Sequence, residues 1–312
     1  MRKAIVRASV MTVIFVLMAG VLLYPAGKGK TAVKKQCNFM LVFEVMEYSS
    51  QLKEAVTYFF DKVFQQGDLL IINTPVKLHG FSPDKLAVPK KKLIADILKI
   101  LKTDITQGYS RYRSVLEEMT RSVQELSGES SSGRGRGAKS IIQSYLQNRQ
   151  NLIALRGVEN YEARLMNYSK IFRRTRGENH LLMFLQKTSR PIPDRDTMEV
   201  LRQKPSQYGF KAVDAFLGES YKINIDFQKI GIAFKYANVR FHFLYLKNKT
   251  LKARRGIDYV ENFGDIYSIF SKIAGVTDGI KLTTAKPSSF VKRVEMAVEG
   301  KVDVEVVDEK ME

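Results

Sequence analysis

The sequence has few of the residues from which metal and redox sites are usually built. Its 312 residues include one cysteine, three histidines and no tryptophan. A single cysteine excludes an internal disulfide and any zinc site made from several thiolates. His79, His180 and His242 do not share a predicted element with another His, Asp or Glu at metal-binding spacing. We therefore expect no metal site built on these residues, and we expect His180 and His242 to be packed inside strands.

The sequence motifs of common enzymes are also missing. There is no Gly-x-Ser-x-Gly nucleophile elbow and no phosphate-binding glycine loop after the first predicted strand. The glycines of residues 127–137 (SGESSSGRGRG) follow no strand and alternate with arginines, which is typical of a mobile basic linker. No nucleophile with a general base can be assembled, so we expect a protein without enzymatic activity, and a hydrolase is the weakest of the alternatives.

Positive charge is in excess. The chain has 51 Lys and Arg against 32 Asp and Glu, a formal net charge of +19. Such an excess indicates either an acidic partner or a surface that keeps the protein soluble. The basic residues are dispersed and fit no nucleic-acid-binding motif, so no specific nucleic acid is expected. An anionic cell-surface polymer or membrane lipid stays open as a partner.

The N-terminus has the pattern of an export signal. Arg2, Lys3 and Arg7 precede an apolar run over residues 8–24, which Pro25-Ala26-Gly27 ends. The run is near the lower length limit for crossing a bilayer, so an uncleaved anchor is the alternative to a cleaved signal over residues 1–26. Residues 27–36 are predicted to be a linker. The remaining chain is expected outside the cytoplasm, as a periplasmic or secreted protein or one held by its N-terminal segment.

Strand and helix patterns alternate along the rest of the chain. Strands are predicted at residues 38–45, 69–74, 180–186, 239–246, 279–283 and 302–307, with a short edge segment at 76–79. Helices are predicted at residues 50–65, 91–107, 110–126, 140–174, 226–236, 263–274 and 288–298. This alternation predicts one α/β domain with a doubly wound, mostly parallel central sheet flanked by helices. It contains a flexible loop at 127–138 and a proline-containing insertion at 188–225, and an acidic tail follows at 308–312.

Two parts of the sequence carry a family resemblance: the first strand and helix followed by residues 65–75 (QQGDLLIINTP), and a later string at residues 266–284. They resemble the von Willebrand factor A family, in its divergent bacterial exported branch, and the first part is similar to that family's opening. Residues 266–284 (IYSIFSKIAGVTDGIKLTT) resemble the stretch before its short fifth strand, with Thr277-Asp278-Gly279 in place of Thr-Gly-Gly. The resemblance implies a Rossmann-like three-layer domain over residues 37–307.

The resemblance also implies a metal-ion-dependent adhesion site at the carboxyl ends of the strands. The family pattern is Asp-x-Ser-x-Ser after strand one, Thr in a later loop and Asp after the fourth strand, and these oxygens hold Mg²⁺. The matching positions and their rim in this sequence are Glu44, Met46, Glu47, Tyr48, Ser110, Gln186 and Lys187. A thioether is a poor ligand for a hard ion, and a lysine would repel Mg²⁺. We therefore expect a degenerate site with no cofactor, in which Glu44 and Ser110 are the weak candidates for metal ligands.

These residues lead to a predicted binding face. Glu44 is expected to be either a hydrogen-bond acceptor in the crevice or a structural carboxylate, with Lys187 as a candidate ion-pair partner. Tyr109, Tyr112 and Arg113 are predicted to be exposed contact residues near it. The prediction is thus a non-enzymatic extracytoplasmic module that binds an unidentified protein. A binder of anionic polymer or lipid is the alternative.

Overall fold

The computed structural model describes residues 36–127, 137–203, 216, 223–246, 255–263 and 265–300. Its main sheet has six strands in the order β3-β2-β1-β4-β6-β8, and all neighbouring pairs are parallel except β2 with β3. The strands of this sheet are β1 (Cys37–Glu44), β2 (Leu69–Asn73), β3 (Leu78–Phe81), β4 (Glu178–Gln186), β6 (Val239–Leu246) and β8 (Lys281–Thr284). The predicted class, an α/β fold with a mostly parallel central sheet, is confirmed.

Helices cover both faces of the sheet. In chain order they are α1 (Ser50–Tyr58), α2 (Pro83–Leu86), α3 (Lys90–Gly108), α4 (Ser110–Leu126), α5 (Ala138–Arg156), α6 (Tyr161–Phe172), α7 (Arg195–Gln203), α8 (Phe227–Tyr236), α9 (Ile266–Val276) and α10 (Pro287–Val298). A π-helical turn, Phe59–Val63, extends α1. No helix among the described residues is both long and apolar enough to cross a membrane.

Strand β1 is central because it is apolar on both faces. All eight of its residues are buried. Phe39, Leu41 and Phe43 pack against α1, α3 and α10 on one face. Met40 and Val42 pack against α6, α8 and α9 on the other. Successive side chains of a strand point to opposite faces, so a continuous apolar run fits only between two helical layers.

A second, smaller sheet joins the start of the predicted insertion to a later segment of the chain. Strand β5 (Ser189–Pro193) pairs antiparallel with β7 (Ile257–Glu261). Neither strand is among the elements predicted from the sequence, and α7 also lies within the predicted insertion at residues 188–225. Pro191 and Pro193 hide the strand pattern because proline cannot donate to a ladder, yet proline is tolerated in the edge strands of a two-stranded sheet.

The predicted helix at residues 140–174 is two helices. Helix α5 ends at Arg156, and Gly157 follows with φ of 63°. A residue in this left-handed region ends a helix, and glycine adopts it without steric cost. The predicted N-terminal export segment, most of the predicted loop at 127–138 and the predicted strand at 302–307 lie outside the described residues.

The two strings that carry the family resemblance form tight turns. Gly67 has φ of 97°, and the carboxylate of Asp68 accepts hydrogen bonds from the amides of Cys37 (3.1 Å) and Gln65 (2.8 Å). In the other turn, Asp278 has φ of 52°, and a Cβ on Gly279 would lie 1.9 Å from the carbonyl oxygen of Phe241. Backbone geometry therefore accounts for glycine at positions 67 and 279.

Candidate functional site

The order of the strands defines where a ligand crevice belongs in this sheet. From β1 the chain moves through β2 to β3 in one direction, and from β4 it moves through β6 to β8 in the other. The change of direction lies between β1 and β4, whose last residues are Glu44 and Gln186. Open α/β sheets bind their ligands outside the carboxyl ends of the strands at such a switch point. The predicted site therefore lies where this fold class places a site.

A buried ion cluster fills the space at the end of β1. The side chain of Glu44 is 6% exposed, and Arg164 donates a hydrogen bond from Nη2 to its Oε1. Tyr109 Oη donates to Glu44 Oε2 at 2.9 Å. Arg156 donates from Nη1 to Tyr109 Oη at 2.7 Å and from Nη2 to the main-chain oxygen of Glu44 at 3.0 Å. Two guanidinium groups thus surround a single carboxylate.

The ends of several helices bring these side chains together. Tyr109 lies at the junction of α3 and α4, Arg156 is the last residue of α5, and Arg164 is in the first turns of α6. A cation at the C-terminus of a helix is stabilised by the helix dipole, which favours Arg156 at its position. Arg156 and Arg164 also lie over the rings of Tyr109 (5.4 Å) and Tyr161 (5.1 Å). Helix ends and ring faces therefore hold both guanidinium groups in place.

The charges of this cluster are stable near neutral pH. Burial alone would raise the pKa of Glu44, but Arg164 and Arg156 outweigh burial and lower this pKa below its ordinary value. Burial, with Glu44 adding to it, raises the pKa of Tyr109 well above its ordinary value despite the opposing charge of Arg156. The carboxylate is therefore ionised and the phenol is neutral, so the phenol can donate its proton in a hydrogen bond.

The loop after β1 is also held by specific contacts. Gln186 accepts hydrogen bonds at Oε1 from the amides of Met46 (2.6 Å) and Glu47 (3.2 Å). Arg113 donates from Nη1 to the carbonyl oxygen of Met46 at 2.8 Å. The Met46 side chain is buried in a third apolar cluster with residues of α4 and α5. Gln186 and Arg113 therefore fix the backbone of the loop, and Met46 anchors it.

Several sequence predictions about this face are wrong. Glu44 does not pair with Lys187: its partner is Arg164, and Lys187 Nζ lies 2.9 Å from Glu261 Oε2. The cation next to Glu44 comes from α6, which no pattern in the sequence indicates.

The predicted contact residues near the loop also differ. Tyr109 and Tyr112 are buried, at 4% and 1% exposure, and are not contact residues. Arg113 is half-buried against the loop. The hydroxyl of Ser110 donates to the carbonyl oxygen of Gln107 at 2.8 Å, and the hydroxyl that reaches Glu44 is that of Tyr109. Glu47, which is exposed, and Tyr48, which is half-buried, do lie at the rim.

The residues at the switch point do not fit a magnesium ion. Mg²⁺ needs oxygen ligands in an octahedral arrangement. The carboxylate oxygens of Glu44 accept from Arg164 and Tyr109, and the Tyr109 oxygen accepts from Arg156. A divalent ion at this position would also be repelled by two guanidinium groups. The family's metal chemistry has no ligand set among these residues.

A second cluster lies at the opposite, amino end of the same strands. Cys37 and Glu178 are paired residues on β1 and β4, and His180 follows on the same face of β4. One ligand atom of each residue lies within 4.8 Å of the other two, and His180 Nε2 lies 3.7 Å from Glu178 Oε2. The expectation that no histidine shares an element with an acidic residue at metal-binding spacing is therefore wrong. The predicted strand begins at His180, whereas the strand in the structure begins at Glu178 and so contains both residues.

His242 on the neighbouring strand orients His180. The two rings are buried and stacked at 5.4 Å, as expected from their position in strands, and His180 Nδ1 lies 3.1 Å from His242 Nε2. The amide of Ile280 donates to His242 Nδ1 at 3.2 Å. Burial, with His180 and Arg240, lowers the pKa of His242 well below its ordinary value. Because Nδ1 of His242 accepts from the Ile280 amide, a neutral His242 carries its proton on Nε2 and donates a hydrogen bond to His180 Nδ1. A neutral His180 then carries its own proton on Nε2.

Comparison of the sequence with protein-family models and with curated proteins finds no match in either case. The resemblance to the von Willebrand factor A family therefore stays a prediction, and the chain is assigned here to the α/β class with a mostly parallel six-stranded sheet.

Proposed function

We propose that this protein is a non-enzymatic binding domain, von Willebrand factor A-like in architecture, that contacts an acidic side chain of a partner protein through Arg164. One observation carries the proposal. In the Glu44–Arg164 ion pair the positive member faces the surface, since the side chain of Arg164 is 30% exposed and that of Glu44 is 6% exposed. The switch point of the sheet thus presents a positive charge where the family resemblance implies a metal ion.

A guanidinium group in this position suits a carboxylate ligand. Arginine has five N–H donors in a planar fork that matches a carboxylate, and it keeps its charge at every physiological pH. Glu44 and the ring of Tyr161 already fix the group, so little conformational freedom is left to lose when a partner binds. Glu47 and Tyr48 flank the site on the loop after β1. The arrangement therefore supports binding, and it supplies no nucleophile.

The fold supports the von Willebrand factor A-like part of the proposal without being specific to it. The switch point lies directly after the first strand, where the resemblance puts the adhesion site. Both strings that carry the resemblance form turns whose glycines have a steric reason, at Gly67 and Gly279. In this proposal the family's metal site has been replaced by an internal salt bridge.

Export is part of the same proposal. It depends on the charged start and the apolar run of residues 1–26 in the sequence. Expression of the full chain in a bacterial host, followed by fractionation and N-terminal sequencing, tests it. Recovery of the protein outside the cytoplasm, with cleavage near residue 26 or with the segment retained in the membrane, is the expected outcome. Recovery of the intact chain in the cytoplasm would contradict it.

Selection of random peptides displayed on phage tests the binding site. The immobilised wild-type protein should enrich peptides that contain Asp or Glu, and Arg164→Gln should abolish this enrichment. Arg202→Gln is the matched control, because Arg202 is an exposed arginine whose ion-pair partner, Glu199, is on its own helix α7 and not in the Glu44 cluster. Circular dichroism must show that each variant is folded. Equal enrichment of acidic peptides by Arg164→Gln and wild type would refute the role of Arg164.

The salt dependence of binding separates this proposal from the alternative. A contact through one guanidinium loses affinity modestly as ionic strength rises, whereas binding of an anionic polymer or lipid surface through many dispersed charges loses it steeply. Binding to anionic lipid vesicles that falls steeply with salt and is the same for Arg164→Gln would favour the alternative. A Mg²⁺-dependent rise in melting temperature that Glu44→Gln removes would also contradict the proposal.

A further inference from the structure

We propose that Cys37, Glu178 and His180 bind a zinc ion at the amino edge of strands β1 and β4. The site lies at the opposite end of the strands from Arg164, so it is independent of the proposed binding function. It rests on the convergence of three different ligand types from two neighbouring strands, with one ligand atom of each within 4.8 Å of the others.

The pairing of the strands brings the ligands to one face. Cys37 is directly opposite Glu178 in the parallel register, and Phe39 is opposite His180. Residues two apart on a strand point to the same side, so Glu178 and His180 share a face. Zinc binds sulfur at about 2.3 Å and nitrogen or oxygen at about 2.0–2.2 Å, which puts tetrahedral ligands roughly 3.5 Å apart. The ligand atoms, which lie within 4.8 Å of one another, therefore need to approach one another by about 1.3 Å at most.

Two of the three ligands are held in the core, and the third is accessible from solvent. His180 is fully buried and Cys37 is 7% exposed, so strands hold both of them in position. The side chain of Glu178 is 17% exposed and is the most accessible of the three. Three protein ligands leave the fourth position of a tetrahedral ion open to water or to a further ligand. An ion can therefore reach the site past Glu178, at the amino ends of β1 and β4.

The ligand types select the metal. A thiolate with an imidazole and a carboxylate suits zinc, whereas magnesium and calcium take sets of hard oxygen ligands. Binding releases one proton, that of the Cys37 thiol, because the thiolate is the ligand. When Nε2 of His180 binds the ion, the His180 proton is on Nδ1 and is donated in a hydrogen bond to His242 Nε2, and the proton of His242 is then on Nδ1. This tautomer exchange gives up the hydrogen bond from the Ile280 amide and leaves that amide facing the Nδ1–H of His242, a cost that the three metal–ligand bonds must exceed.

His242 is the orienting partner of this site. A histidine that binds a metal usually donates its other ring N–H to a neighbouring acceptor, which fixes the ring and its tautomer. His242 Nε2 lies 3.1 Å from His180 Nδ1 and its ring is stacked on that of His180. His242, on β6, is therefore placed to fix the orientation of the His180 ring.

Titration of the metal-free full-length protein with Co²⁺ tests the proposal directly. Co²⁺ bound by a thiolate gives a sulfur-to-metal charge-transfer absorption, and Cys37 is the one cysteine of the chain, so the band has a single possible source. We expect the band to saturate at about one equivalent and to disappear when Zn²⁺ is added. Cys37→Ser should remove it. No thiolate band, or a band that persists in Cys37→Ser, would overturn the proposal.

Variants of the other two ligands complete the test. Glu178→Gln and His180→Gln should weaken Zn²⁺ binding by more than the roughly 10–100-fold that loss of an outer-shell partner causes. His79→Gln is the control histidine, because His79 hydrogen-bonds to Asp104 on another part of the fold. Glu178 is at the rim, so its variant decides the question even if His180→Gln fails to fold. Unchanged zinc affinity in folded Glu178→Gln would remove Glu178 from the site and refute the three-ligand proposal.

Discussion

Replacement of Glu44 with glutamine removes the charge that balances two arginines. The Glu44 carboxylate accepts a hydrogen bond from Arg164 Nη2, whereas Arg156 Nη2 donates to the main-chain oxygen of Glu44 and acts on the carboxylate through its charge. Arg156 is 4% exposed and cannot regain water, whereas Arg164 is partly exposed and can. Breaking a buried ion pair by removing one partner costs about 3–5 kcal/mol. Because Arg164 can regain water, we expect Glu44→Gln to lose about 3 kcal/mol, the lower end of that range.

Urea denaturation followed by far-UV circular dichroism measures this loss. The free energy of unfolding of Glu44→Gln is compared with that of wild type and of Glu47→Gln, which removes an exposed glutamate three residues further along the chain. Surface substitutions usually change stability by less than about 0.5 kcal/mol, so the control should match wild type. A loss below about 1 kcal/mol in Glu44→Gln would show that Glu44 does not balance the buried arginines.

The pH dependence of the same comparison is an independent check. The pKa of Glu44 is lower in the folded protein than its ordinary value of about 4.3, so the unfolded chain binds more protons in this range. The charged Glu44 therefore contributes stability above about pH 4.3, and this contribution is lost as the pH falls through the folded-state pKa. The difference in unfolding free energy between wild type and Glu44→Gln should shrink on acidification. A difference that stays constant between pH 7 and about pH 3 would refute the assigned cause.

Two further predictions concern positions with defined contacts. Tyr109→Phe removes the acceptor for Arg156 Nη1 and should lower the free energy of unfolding by about 1–3 kcal/mol in urea denaturation; no loss would mean that the hydroxyl is not needed. Gly279→Ala should lower it by about 1–3 kcal/mol or more, because its Cβ would meet the oxygen of Phe241. Gly275→Ala has open space around its Cβ and should leave the protein as stable or about 0.5–1 kcal/mol more stable, so equal losses in the two alanine variants would contradict the steric argument.

The local sequence determined most of the secondary structure. The uninterrupted apolar run of β1 predicted a strand buried on both faces, and the spacing of apolar residues predicted α3 and α4 to within about a residue at each end. Local patterns failed where an element depends on a distant partner. Strand β5 contains Pro191 and Pro193 and exists because β7 pairs with it.

The family resemblance put the predicted site after the first strand, and the strand order of the folded chain puts the switch point of the sheet there as well. It did not determine which side chains meet there. Arg164 lies 120 residues from Glu44 along the chain and Arg156 lies 112 residues away, within helices whose patterns record only their apolar faces. Likewise, Cys37 and Glu178 become neighbours only through the register of β1 with β4.

The physical reason is the range of the interactions. Helix and strand preferences act over a few residues and can be read from a short window. The charge balance around Glu44 depends instead on the packing of the core, which brings the ends of certain helices to the carboxyl end of β1. Only the folded chain decides that an arginine, and not Lys187, neutralises this carboxylate.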